Sequence, residues 1–217
     1  MTMAYHYDWT VLWQYRAALW QGVVFTLQVS LAAMALSVIA GTVVGVMRVL
    51  PVRVLRDVSF LYVEVMRNVP SLVKLFFFYF AFGMNAFMAT LLALTLHQAA
   101  YIGDVVRAGI QSLPKGQAEA ALASGLSFRQ TLTAVILPQT FRIILPPLIT
   151  NFIEIVKNSS IGVTVGLTEL TFQTQLINSE TFRGFEAATA VTVIYVLMTL
   201  GTRVAMLQAE RRLRYHI

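Results

Sequence analysis

Cysteine is absent from all 217 residues, which excludes a disulfide framework and any thiolate metal site. Histidine is scarce too. His6, His97 and His216 lie far apart in the sequence, and no histidine metal cluster is expected. Charge is the third shortage: Asp, Glu, Lys and Arg make up only 12% of the chain, against about 25% in a soluble domain. That leaves too little polar surface to cover a water-soluble globule. The opening stretch MTMAYHYDWT lacks the basic start and short apolar core of a secretory leader, so insertion is expected to depend on the first true span. No Gly-rich phosphate loop of Walker type occurs, so no nucleotide site is expected on this chain.

What is abundant is apolar surface, 58% of residues, gathered in long runs. From Ala17 to Met47 no residue is charged, a run well beyond the ~20 residues that cross a bilayer core. Five spans are predicted, at 26–47, 58–82, 86–107, 136–156 and 187–207, with the polar stretch 108–135 between the third and the fourth. Residues 1–217 therefore read as a single all-α transmembrane domain, with no room for a sizeable soluble one. Pro138, Pro146 and Pro147 are expected to break the fourth span, each removing a ladder donor.

The net charge of +6 is not spread over a broad basic face, which speaks against nucleic acid. Basic residues collect at the ends of apolar runs. Arg48, Arg53, Arg56, Lys115, Arg129, Arg211, Arg212 and Arg214 fall on one side of the predicted bilayer, and only Arg16 and Arg183 on the other. The positive-inside rule then predicts a multi-pass chain with its N-terminus outside and its C-terminus, with 108–135, in the cytoplasm.

Within 108–135 the stretch EAALASG, Glu119 to Gly125, is too polar to span. Pro114 suits a first helical turn, Gln117 to Ser124 is a run of good helix formers, and Gly125 can adopt the positive φ that ends a helix. Ser127 and Gln130 have the spacing of a capping box that starts the next helix. This pattern admits two readings: an interfacial helix lying on its own bundle through Leu122 and Leu126, or a knob offered to a soluble partner.

The stretch EAALASGLSFRQTLTAVILPQ resembles the EAA-loop signature of the integral membrane subunits of binding-protein-dependent ABC importers. YIGDVVRAGIQSLPKGQAEAA, RNVPSLVKLFFFYF and NFIEIVKNSSI resemble the permeases of the polar amino acid uptake family. Asn68-Val69-Pro70 departs from the glycine-threonine that often precedes that proline in the branch. The resemblance implies a MetI-like permease fold with a cytoplasmic coupling-helix hairpin, in the inner membrane of a prokaryote. It implies a non-catalytic pore subunit with no cofactor of its own, ATP and Mg being used by a partner ATPase present in two copies. A second permease subunit, identical or homologous, and an extracytoplasmic solute-binding protein would complete the assembly. Glu119, Ala120, Ala121, Leu122, Gly125, Leu126 and Ser127 would then couple the chain to the ATPase.

Several ionisable residues fall inside apolar segments, where they are costly and tend to face a bundle interior or a water path. Glu64 and Arg67 are three residues apart, as are Glu154 and Lys157, so each pair can share a helix face. They read either as structural pairs or, for Arg67, Lys74, Asn151, Glu154, Lys157, Asn158 and Ser159, as the path of an amino acid substrate. The slight basic excess leans toward glutamate or aspartate. The rival classes are a secondary transporter or channel that needs no ATPase, which leaves the EAALASG hairpin unexplained and would lack an inverted repeat, and a membrane assembly protein.

Overall fold

The computed structural model describes residues 5–215, and every regular element among them is helical. In chain order these are α1 (Thr10–Gln14), α2 (Arg16–Met47), α3 (Arg53–Asn68), α4 (Ser71–Phe76), α5 (Ala86–Ser112), α6 (Lys115–Ala123), α7 (Phe128–Gln130), α8 (Leu137–Asn158), α9 (Leu170–Thr181) and α10 (Gly184–Tyr215). Wide π turns extend α4 over Phe77–Ala81 and join α7 to α8 over Thr131–Ile136; a 3-10 stretch, Ser159–Val165, follows α8.

Among the described residues, four helical runs are long and apolar enough to cross a membrane: Arg16–Met47, Ala86–Ser112, Phe128–Val165 and Gly184–Arg211. The five-span expectation is thereby corrected to four. The predicted span 58–82 is not one helix. Val69 is extended, at φ −88° and ψ 128°, because the ring of Pro70 clashes with a helical predecessor. On one side of it stands α3, 16 residues with Arg53, Arg56, Asp57, Glu64 and Arg67 along it; on the other stands the short α4 and its π turn.

Pro146 and Pro147 lie inside α8 without ending it. Pro138 sits in its first turn, directly after the π turns of Thr131–Ile136. A widened turn there accommodates the pyrrolidine ring, which would otherwise press on the carbonyl four residues back.

The contacts divide the chain into two compact units. One comprises Met1–Ala33, Ser71–Leu94 and Glu154–Gly201. Its core holds Val11, Leu19, Leu170, Ile177, Ala187 and Val191, with a second cluster of Leu75, Ala89, Ala93 and Val165. Here α9 lies close on α2: a Cβ at Gly22 would come within 2.9 Å of the Leu170 Cα. Leu170 N donates to Thr26 Oγ1 at 3.1 Å.

The other unit comprises Met34–Pro70, Thr95–Ile153 and Thr202–Ile217. Its α2 and α5 segments meet through glycines. A Cβ on Gly41 would sit 2.6 Å from Ile102 Cγ2, and one on Gly45 would sit 2.7 Å from the Gly103 carbonyl oxygen. This Gly-x-x-x-Gly stripe lets backbones approach where apolar packing against lipid provides no preference for one helix over another.

Candidate functional site: the hairpin and the buried charges

α6 follows α5 after only Leu113 and Pro114, the latter serving as its N-cap. It ends in a Schellman turn. Leu126 N donates to the Ala121 carbonyl at 3.2 Å and Gly125 N to that of Leu122 at 3.0 Å, with Gly125 at φ +85°. Ser127 then caps α7 reciprocally: its Oγ accepts from Gln130 N at 3.3 Å, and its N–H donates to Gln130 Oε1 at 2.9 Å. Two helix ends two residues apart are thus both satisfied, which fixes the angle between α6 and α7. Ala121 is buried under the helix, whereas Glu119, Ala120, Leu122 and Ala123 are exposed and Leu126 is half-buried.

In the same unit the charges pair differently from the expectation. Arg67 does not bond Glu64. Its guanidinium donates to Asp104, which also accepts from Arg48, so one carboxylate on α5 holds arginines from α3 and from the end of α2. Arg67 also lies 4.9 Å from the centre of the Tyr101 ring. Glu64 is engaged by Asn68, whose Nδ2 donates to the Glu64 carbonyl at 2.7 Å. Asp104 is the residue that sequence reasoning missed. A lone acid inside a predicted span, with Arg48 and Arg67 on neighbouring segments, was the available signal. Asn151 Oδ1 accepts from Gln98 Nε2 at 2.5 Å, while its Nδ2 donates to the Pro147 carbonyl at 2.9 Å.

In the first unit Lys157 Nζ donates to Glu154 Oε1 at 2.6 Å, and both side chains are about half exposed. Lys157 lines a cavity of about 510 Å³ with Ser160, Thr171, Thr174, Gln175 and Tyr195. Ser159 is buried and bonds the Val156 carbonyl, Asn158 ends α8, and Lys74 is buried on α4. Of the residues singled out for a substrate path, Glu154 and Lys157 are bonded to one another, whereas Arg67 and Asn151 belong to the other unit.

Beside that cavity Glu169 caps α9. Its carboxylate accepts from Thr171 N at 2.9 Å, Phe172 N at 3.0 Å and the Tyr195 hydroxyl at 2.6 Å. The side chain is fully buried, and desolvation pushes its carboxyl above the usual carboxylate range, against the pull of these hydrogen bonds.

Residues 33–215 match the family described as binding-protein-dependent transport system inner membrane component. The chain is 39% identical over 198 residues to the probable glutamine ABC transporter permease protein GlnM of Bacillus subtilis (strain 168), covering 88% of this chain and 91% of that one. It is 34% identical over 218 residues to the glutamate/aspartate import permease protein GltJ of Escherichia coli (strain K12), covering 92% and 89%. Among solved structures, the crystal structure of an amino acid ABC transporter with histidines aligns at a TM-score of 0.86 and 33% identity, over 96% of this chain and 100% of that one. The inward-facing MetNI methionine ABC transporter aligns at 0.82 and 21% identity, over 92% and 98%, and shares the all-α MetI-like permease fold. With the family matched across most of its length, this chain belongs to the binding-protein-dependent transport system inner membrane components.

Proposed function

We propose that this chain is the permease subunit of an ATP-driven importer of polar amino acids, moved through α6 by a cytoplasmic ABC ATPase. The observation that carries the reading is the hairpin. A short helix closes in a Schellman turn directly before the capping box of α7, and Glu119, Ala120, Leu122 and Ala123 are left exposed on it. Alanines allow a close approach, Glu119 supplies a charge for the rim of a partner's cleft, and Gly125 with Ser127 keeps the lever at a fixed angle. Two ATPase copies, a second permease subunit and an extracytoplasmic binding protein complete the assembly. The hairpin end, with Arg48 and Arg56, faces the cytoplasm, and α2 begins on the outer side.

The relatives' substrates, glutamine and glutamate/aspartate, point to a polar zwitterion. The Lys157 and Glu154 pair beside the hydroxyls of Ser160, Thr171 and Thr174 offers such a molecule a cation, an anion and neutral hydrogen-bonding groups. The test is reconstitution with the cognate ATPase and binding protein in vesicles, followed by uptake across a panel of amino acids. ATP- and binding-protein-dependent accumulation of glutamate, aspartate or glutamine is expected. Equal accumulation without the ATPase overturns the reading.

A further inference from the structure

Between α6 and the ends of α2, α3 and α5, all within one compact unit, lies a second cavity of about 700 Å³. Arg48, Arg56, Arg107 and Lys115 line it, and no Asp or Glu is among the described lining residues. Asp104 accounts for Arg48; Arg56, Arg107 and Lys115 have no carboxylate on the wall to answer them.

Two residues of the cavity wall each carry an orphaned polar atom. Arg107 Nε and Thr131 Oγ1 are both buried without a hydrogen-bond partner, and Thr131 as a whole is only 3% exposed. A buried donor left unmet is costly, and two in residues of the same wall mark it as a place where an acceptor would be accommodated. The remaining wall is largely apolar and includes the exposed side chains of Leu122 and Phe128. A wall that combines cations with apolar surface matches an amphiphile with an anionic head. The cavity also adjoins the ends of three helical runs that qualify as membrane spans, the level at which headgroups lie.

We propose that this cavity binds the phosphate of an anionic phospholipid, with Arg56, Arg107, Lys115 and Thr131 on the headgroup and acyl carbon against Leu122 and Phe128. Occupancy would brace α6 from beneath, because Ala118 and Leu122 form part of the same wall. A lipid-bound hairpin would thus be stiffer than an empty one.

The experiment is native mass spectrometry of the intact transporter, delipidated and then offered phosphatidylglycerol, phosphatidylcholine or inorganic phosphate. Retention of phosphatidylglycerol over phosphatidylcholine is expected, falling about fivefold for each arginine removed in Arg56→Gln and Arg107→Gln. Thr131→Val lowers it as well, and Arg203→Gln, exposed on α10, leaves it unchanged. Should the arginine variants fail to fold, a photoreactive anionic phospholipid on the wild type probes the same cavity and is expected to label 107–115 and 122–136. Equal retention of both lipids, labelling elsewhere, or protection by inorganic phosphate alone overturns the assignment. So does labelling of these segments only after the ATPase is stripped away, since an acidic segment of that partner would then be the occupant.

Discussion

At Gly125 the backbone holds φ +85°, and a Cβ there would meet nothing within 4 Å. Space is not the constraint; conformation is. A β-branched side chain in the left-handed region costs about 1–2 kcal/mol, enough to redirect a one-residue corner without unfolding the membrane helices. Gly125→Val is expected to reach the membrane in normal amount yet hydrolyse ATP in the assembled transporter without matching uptake. Gly125→Asn, which tolerates the conformation, should keep most transport. Uptake per ATP hydrolysed, measured in vesicles, checks both. Asp104 is the other residue whose loss matters beyond its size. Asp104→Asn leaves the mostly buried Arg48 without a counter-charge and should destabilise the chain by about 3 kcal/mol, whereas Asp57→Asn removes an exposed pair with Arg53 and should be silent in the same thermal melt. Glu169 supplies a pH dependence. Its folded carboxyl is raised, so the folded state holds its proton where the unfolded chain has lost it. Stability from this group is therefore full below the ordinary glutamate range and lost as pH rises toward the raised value. Glu169→Gln should flatten that part of the stability profile, as read by melts across mildly acidic pH.

Among the elements, α2 and α5 depend on the glycine contact, and α6 on its ends. Gly45→Val would drive a side chain into Val106 and the Gly103 carbonyl; overpacking of this kind costs about 1–3 kcal/mol, and folded yield should fall. Gly116→Ala in α6 meets open space and should stiffen that helix by up to about 1 kcal/mol, leaving folded yield intact. Size-exclusion yield from detergent separates the two. The long uncharged runs made α2, α5 and α10 legible in the sequence, because bilayer thickness leaves few other uses for them. The hairpin could be read as well, since Gly125, Ser127 and Gln130 act through local backbone chemistry. α3 could not: aromatic residues after Lys74 carried the apolar signal across Pro70 and hid the break. Pro146 and Pro147 each remove a ladder donor inside α8, yet the helix continues past them. The Asp104 cluster joins residues 56 and 37 positions apart, and helical spacing reports only on neighbours three or four along.

Across the molecule, family membership and fold fix the kind of machine, while the amino acid lean came only from an excess of buried cations. Those cations now have closer explanations: Arg67 answers Asp104 and Lys157 answers Glu154. A charge tally therefore says little about cargo. The backbone contact along Gly41, Gly45 and Gly103 has a mechanical consequence. Side chains can slide past one another, but two main chains pressed together have no slack to take up. If α6 takes the stroke proposed above, it would pass through Leu113 and Pro114 into residues 95–112 of α5, and residues 34–47 of α2 would travel with them. The pair would move as a single piston rod, so the same stroke should register in spin labels placed on either helix.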